Sequence, residues 1–152
     1  MTIELLQVKE VEEWRAYHAI RRLVLFEGRG LEGYDENHPD EHKPGHIPLL
    51  FRKDGAAIGT VRLDLLNGTT GIVRLVAIMP SYQRQGLGRI LMTEVEEISA
   101  KRGLKRLEVH AAPDAVAFYQ KLDWVMVDPD QESPLMAKEI PSSGYGTGSG
   151  AD

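Results

Sequence analysis

The segment from Gln83 to Arg89 has the residue types and the spacing of an anion-binding site. It follows an apolar strand that ends at Pro80, and it opens a helix with the run Gln-Arg-Gln-Gly-Leu-Gly-Arg. The first backbone N–H groups of a helix have no internal partners and lie at the positive end of its dipole. Two glycines there let a bulky anion approach the backbone, and two arginines add positive charge. The segment therefore predicts a site for a phosphate or pyrophosphate.

Two common phosphate motifs do not fit this segment. A P-loop requires Gly-x-x-x-x-Gly-Lys-Ser/Thr, which the sequence does not contain, and the dinucleotide fingerprint requires a third glycine where Leu91 stands. The sequence therefore disfavours both of these classes of nucleotide site.

The order of strand, proline, Arg-Gln turn, Gly-x-Gly and amphipathic helix instead resembles the acetyl-coenzyme A signature of the GNAT N-acetyltransferases. The run Ala117-Phe118-Tyr119-Gln120-Lys121-Leu122 is similar to a later helix of that family. The resemblance covers about residues 55–140, whereas the first 50 residues match only in the order of elements. It implies the α/β fold of the acyl-coenzyme A N-acyltransferases. In that fold a central, mostly antiparallel sheet contains a splayed parallel strand pair and is flanked by helices.

The elements that must position these residues follow from apolar spacing and turn signals. Spacings of three or four predict helices over residues 11–26 and 86–101, and a third helix runs from Pro113 to Leu122. Residues 28–45 form a loop with at most a short helix. We expect one domain over residues 1–140 and a flexible Gly/Ser-rich tail over 141–152. Strands are predicted over 3–8, 47–51, 57–64, 71–78, 107–111, 124–127 and 135–140.

The resemblance also implies which residues bind acetyl-coenzyme A, the expected co-substrate. Backbone groups of Val76, Ala77 and Ile78 should hydrogen-bond the pantetheine arm between the parted strands 71–78 and 107–111, and the N–H of Val76 should polarise the acetyl carbonyl. The pyrophosphate should be cradled by Arg84, Gln85, Gly86, Leu87, Gly88 and Arg89.

The proton transfers are only partly assigned by the sequence. Tyr119 matches the tyrosine that protonates the leaving thiolate in many family members, and we take it as the general acid, adjacent to the cofactor. The family's usual base position falls near Ile72 or Arg74, and neither side chain can accept a proton from an ammonium group. The candidate bases that remain are Glu108 and His110 on one strand face, then Asp64, Glu27 and Glu32, or a water chain.

Two positions depart from the family pattern. Ala112 stands where an asparagine often contacts the cofactor, and Asp123-Trp124 replaces the usual Gly-Phe. Neither touches the pyrophosphate loop, so cofactor binding is still expected, while the geometry near the thiol is left open.

Composition narrows the classes of partner. The net charge of −5 argues against a nucleic-acid partner, and no apolar run is long enough to span a membrane. We expect a cytoplasmic enzyme, because the N-terminus lacks a signal-peptide pattern and the chain has no cysteine. Three histidines between 38 and 46 match no zinc spacing, so no metal is expected. The carboxylates of the same loop suggest a positively charged acceptor, and similar proteins often form homodimers through their closing strands.

These observations favour acetyl transfer from acetyl-coenzyme A to an amine of a small molecule or peptide, in a ternary complex. A longer acyl chain on the same fold is an alternative, as is a non-catalytic acyl-coenzyme A sensor or partner-binding module. The acceptor itself cannot be identified from the sequence.

Overall fold

The computed structural model describes residues 1–141, so the predicted tail lies almost wholly outside the described residues. The order of the predicted elements is confirmed. Within the described residues the α-helices are α1 (Val11–Arg21), α2 (Leu87–Lys101) and α3 (Val116–Lys121). The strands are β1 (Ile3–Gln7), β2 (His46–Lys53), β3 (Ala56–Leu65), β4 (Thr70–Ile78), β5 (Arg106–His110), β6 (Val125–Asp128) and β7 (Leu135–Glu139). None of the helices in the described part of the chain is long and apolar enough to cross a membrane.

The first predicted helix is correct in extent but not uniform. After α1 the chain continues as a π-helical turn over Arg22–Phe26 and a 3-10 turn over Glu27–Arg29. The helix starts at Val11 because Glu13, in its first turn, accepts the backbone N–H of Glu10 at 2.8 Å. Val11 was expected on the apolar face and is instead 62% exposed, since it lies one turn before the stripe that packs on the sheet.

The second helix ends where the sequence predicts. Gly103 takes a left-handed φ of +80°, and the N–H of Leu104 turns back to the carbonyl of Ser99 at 2.9 Å. This closes the last turn of α2 without a side chain in the strained position. Its buried face is built on Leu87, Leu91 and Val95.

The strands follow the order β1-β2-β3-β4-β5-β7-β6 in a seven-stranded sheet. The β4–β5 pair is parallel, whereas β1–β2, β2–β3, β5–β7 and β6–β7 are antiparallel. The predicted fold class, a mixed α/β fold with a mostly antiparallel sheet and one parallel strand pair, is therefore confirmed.

Backbone contacts divide the chain into two compact units. The first unit comprises Met1–Asp64 and Arg74–Glu94, and it holds β1 to β3, the end of β4 and the start of α2. The second comprises Leu65–Val73 and the chain from Val95 onward, with the start of β4, the rest of α2 and all later elements. The single domain over residues 1–140 stays a prediction.

The parallel pairing of β4 is short. Within the described residues, the register pairs Thr70–Val73 of β4 with Arg106–Val109 of β5 and goes no further along β4. Two residues later Leu75 has a φ of +55°, in the left-handed region that residues with a side chain rarely adopt. This irregularity interrupts the regular strand geometry just before Val76, the residue expected to meet the thioester.

The end of β4 is held by the neighbouring strand and by α1. The N–H of Met79 donates to the carbonyl of Ile58 at 2.8 Å. A Cβ on Gly59 would lie 2.7 Å from the carbonyl oxygen of Ala77, so only glycine permits this approach. The side chain of Ala77 packs in a cluster with Tyr17 and Ile20 of α1.

Candidate functional site

The turn between β4 and α2 is braced by two glutamines. The chain leaves β4 through a 3-10 turn over Pro80–Tyr82. The side-chain amide of Gln83 donates to the carbonyl of Ile78 at 2.8 Å, and that of Gln85 donates to the carbonyl of Ser81 at 3.1 Å. These two hydrogen bonds stabilise the backbone of the turn from which the predicted pyrophosphate-binding segment begins.

The start of α2 is open in this structure. Gly86 has a φ of +77°, and a Cβ added there would meet no atom within 4 Å. Its carbonyl accepts the N–H of Ile90, so the N–H groups of the three residues between them have no acceptor inside the helix. The side chains of Arg84 and Arg89 are exposed beside this turn. The geometry leaves backbone donors and positive charge available to an anion.

The three predicted pantetheine-binding residues lie directly before that turn. Val76 and Ile78 are half-buried, and Ala77 is 2% exposed. They belong to the first unit together with Arg84–Arg89, so one continuous stretch of chain carries the whole predicted cofactor set except Tyr119.

Tyr119 lies on α3 in the second unit. Its ring packs edge-on against Phe118 and Trp124, with centroids 5.1 and 5.3 Å away. Burial raises the pKa of Tyr119 to about 12, so the phenol stays protonated at neutral pH. Asp123 takes a left-handed φ of +70° where the family usually has glycine, which lets Trp124 turn back onto the tyrosine ring.

The two candidate bases on β5 differ in their surroundings. Glu108 is half-buried and accepts a hydrogen bond from Nε of Arg106 at 3.0 Å, whereas His110 is exposed. Leu107 and Val109 are buried, so the predicted alternation of the strand is confirmed. The carboxylate of Glu108 is therefore already occupied by Arg106.

Asp64 is not available as a base. Its carboxylate accepts two hydrogen bonds from Arg62, at 2.7 and 2.9 Å, and forms an ion pair with Arg74, whose Nε lies 3.1 Å away. His46 Nε2 lies 3.5 Å away, and Asp64 is 6% exposed. Sequence reasoning missed this cluster, although Arg62 and Asp64, two apart in an otherwise apolar strand, were a signal of paired charges on one face.

The carboxylates of the loop over residues 28–45 are also paired internally. Glu41, 5% exposed, forms an ion pair with Arg21 and accepts the hydroxyl of Tyr17 at 3.1 Å. Asp40 pairs with Arg62 at 2.8 Å and with Lys43 at 3.0 Å. The carboxylates at 40 and 41 are occupied by arginine and lysine, so they no longer support a positively charged acceptor. The predicted short helix is present as a 3-10 turn over Pro39–His42.

Two of the three histidines between positions 38 and 46 contact the backbone of the same segment. His38 Nδ1 accepts the N–H of Asp40 at 3.1 Å, and His46 Nδ1 lies 2.6 Å from the carbonyl of Asp40. No group of residues in the described part of the chain could hold a metal ion.

Glu41→Gln is expected to destabilise the protein by about 3 kcal/mol, because it leaves the charge of Arg21 buried without its partner. The control is Glu36→Gln, which removes an exposed pair with Arg22 and should change stability by less than about 1 kcal/mol. Urea unfolding followed by circular dichroism measures both. Equal effects of the two substitutions would contradict the structural role of Glu41.

Comparison with known proteins identifies the family and the fold of the chain. The sequence model described as the acetyltransferase (GNAT) family matches residues 11–124. The YyaT protein of Bacillus subtilis is 31% identical over 129 residues, which is 80% of this chain and 85% of that relative.

Two solved structures show the same fold. The ribosomal-protein-S18-alanine N-acetyltransferase of Escherichia coli has a TM-score of 0.71 at 18% identity and covers 96% of this chain and 99% of its own. The PaiA N-acetyltransferase of Thermoplasma acidophilum, solved in complex with coenzyme A, has a TM-score of 0.73 at 18% identity, with 91% and 99% covered. Because the family match spans most of the chain and the fold agrees, the chain belongs to the GNAT family and is an N-acetyltransferase of that type.

Proposed function

We propose that this enzyme transfers the acetyl group of acetyl-coenzyme A to an amine of a small molecule or peptide, by direct attack within a ternary complex. The observation that carries the proposal is the open start of α2. A Cβ added to Gly86 would meet no atom within 4 Å, and two arginines are exposed beside it. A diphosphate fits such a site, because unpaired backbone N–H groups and positive charge both stabilise it.

The acetyl donor, acetyl-coenzyme A, would then lie along a short stretch of the chain. Arg84, Gly86 and Arg89 would hold the pyrophosphate, and backbone groups of Val76–Ile78 would bind the pantetheine. The left-handed Leu75 supports this assignment, since it marks where β4 leaves its regular pairing. The Val76 N–H would donate to the acetyl oxygen and stabilise the negative charge that develops there.

Acetyl transfer also requires two proton movements. The attacking nitrogen must lose a proton, and the departing thiolate must gain one. Tyr119 is proposed as the acid, supported by a phenol that burial keeps protonated. His110 and Glu108 remain candidates for the base. Because Arg106 already occupies the carboxylate of Glu108, His110 or a water chain to the backbone is favoured.

Thiol release tests the proposal directly. Purified enzyme with acetyl-coenzyme A and a panel of amines should release coenzyme A thiol only when a suitable acceptor is present. Parallel reactions with propionyl- and butyryl-coenzyme A test the alternative of a longer acyl chain, and acetyl-coenzyme A should give the fastest release. Tight cofactor binding without turnover on any acceptor would favour a sensor instead.

The remaining expectations stay predictions. These are a cytoplasmic location, no nucleic-acid or membrane partner, and a homodimer through the closing strands. The homodimer is supported by β6, an edge strand on which Val125, Met126 and Val127 are 61%, 36% and 46% exposed.

A further inference from the structure

Arg74 is a partly exposed arginine that forms one ion pair and has unused hydrogen-bonding groups. It lies on β4, its side chain is 42% exposed, and its Nε contacts Asp64 Oδ2 at 3.1 Å. None of its guanidinium nitrogens forms a hydrogen bond within residues 1–141, and Asp64 is its ion-pair partner there. The hydrogen-bonding capacity of the guanidinium therefore remains available to a ligand, while the ion pair with Asp64 limits the side chain's movement.

The surrounding charges do not require Arg74 to neutralise Asp64. Arg62 already binds both oxygens of that carboxylate and is itself 3% exposed. Across the whole cluster, four cationic side chains share three carboxylates: Arg21, Lys43, Arg62 and Arg74 against Asp40, Glu41 and Asp64. The exposed arginine can thus take an external anion without breaking a buried pair.

The position of Arg74 relates it to the reacting groups. It stands two residues before Val76, and two residues of chain span at most about 7 Å whatever the conformation of Leu75 between them. An arginine side chain spans a comparable distance, so its guanidinium can reach a group bound beside the Val76 N–H. A guanidinium there cannot accept a proton from an ammonium group and would repel a polyamine, whereas its planar fork matches a carboxylate.

We propose that Arg74 binds a carboxylate on the acceptor, so that the enzyme acetylates amines of amino carboxylates in preference to simple amines. This inference rests on the proposed function, which puts the acetyl carbonyl at Val76. It differs from the expectation of a cationic acceptor, and two of the loop carboxylates behind that expectation, Asp40 and Glu41, are paired internally.

Matched bisubstrate probes test the inference without knowledge of the natural acceptor. In each probe the coenzyme A sulfur carries –CH2–CO–NH–(CH2)n–COO⁻, with n from one to three, and its partner ends in –CONH2 instead. Isothermal titration gives the Kd of each pair. The best carboxylate is expected to bind about tenfold or more tightly than its carboxamide, as for other hydrogen bonds to charged groups.

Three variants complete the experiment. Arg74→Gln should bring the carboxylate-to-carboxamide ratio to about one and leave the Kd of free coenzyme A unchanged. Arg74→Lys should recover part of the preference, because it keeps the charge but not the fork. Arg52→Gln removes a comparable half-exposed arginine paired with Glu4, and it should keep the full wild-type ratio.

The outcomes separate this inference from the proposed function. A ratio near one at every spacing in the wild type, or a preference that survives in Arg74→Gln, overturns the role of Arg74. If free coenzyme A fails to bind the wild-type protein, the proposed function itself is overturned.

Discussion

Gly86→Asp should abolish the binding of coenzyme A. The new carboxylate would lie where the pyrophosphate is expected, at the start of α2. At a separation of about 4 Å and an effective dielectric constant near 20, two like charges repel by about 4 kcal/mol, which is roughly a thousandfold in affinity. Isothermal titration with coenzyme A measures the loss.

The matched control is Gly86→Asn, which has nearly the same shape and no charge. Asparagine and aspartate both tolerate the left-handed φ of +77° found here, and neither Cβ meets a neighbouring atom within 4 Å. Both variants should therefore fold, with similar melting temperatures. Gly86→Asn should retain a much higher affinity for coenzyme A than Gly86→Asp. Wild-type affinity in Gly86→Asp would exclude the start of α2 as the diphosphate site.

Tyr119→Phe should lower the rate of acetyl transfer by about 10²–10⁴-fold, the usual contribution of a positioned proton donor. The affinity for coenzyme A should change little, because the substitution removes only a hydroxyl. A single-turnover measurement is the right one, since slow product release could otherwise mask the chemical step. Unchanged single-turnover rates would remove Tyr119 from the mechanism.

The control for this variant is Phe118→Leu. Phe118 contacts the Tyr119 ring edge-on and is 37% exposed, so leucine disturbs the packing without touching the hydroxyl. It should keep most of the activity. Because burial raises the pKa of Tyr119 to about 12, ionisation of the acid should not reduce the wild-type rate until the pH approaches that value.

The elements around the site could be predicted because their signals are local. The apolar spacing of α2, the glycine at its end and the turn glycines each act within a few residues. The Gly-x-Gly segment likewise indicates an anion site from neighbouring positions alone. Sequence and structure agree most closely for the helix and its turns, whereas the anion site stays a prediction.

Other features depend on contacts that no local pattern reveals. Leu75 and Arg84 both adopt left-handed conformations, yet neither residue type favours that region. Arg74 contacts Asp64 only because β3 and β4 meet side by side, and Glu41 becomes buried because Arg21 of α1 lies opposite it. The sequence therefore suggested an exposed acidic surface in the loop over residues 28–45. In the structure, two of its carboxylates, Asp40 and Glu41, are paired with arginines.

The left-handed Leu75 also sets which side chains share a face of β4. Residues three apart in a regular strand point in opposite directions. Here Arg74 contacts Asp64, and Arg62, the other partner of Asp64, also contacts Glu41. Ala77 packs with Tyr17 of α1, which is hydrogen-bonded to Glu41. The side chains of Arg74 and Ala77 therefore both lie toward α1. If Leu75 were extended, as in a regular strand, the ordinary alternation would return and one of the two side chains would lie on the opposite face of the sheet. The backbone conformation of Leu75, as much as the composition of β4, thus decides which side chains an incoming amine can meet.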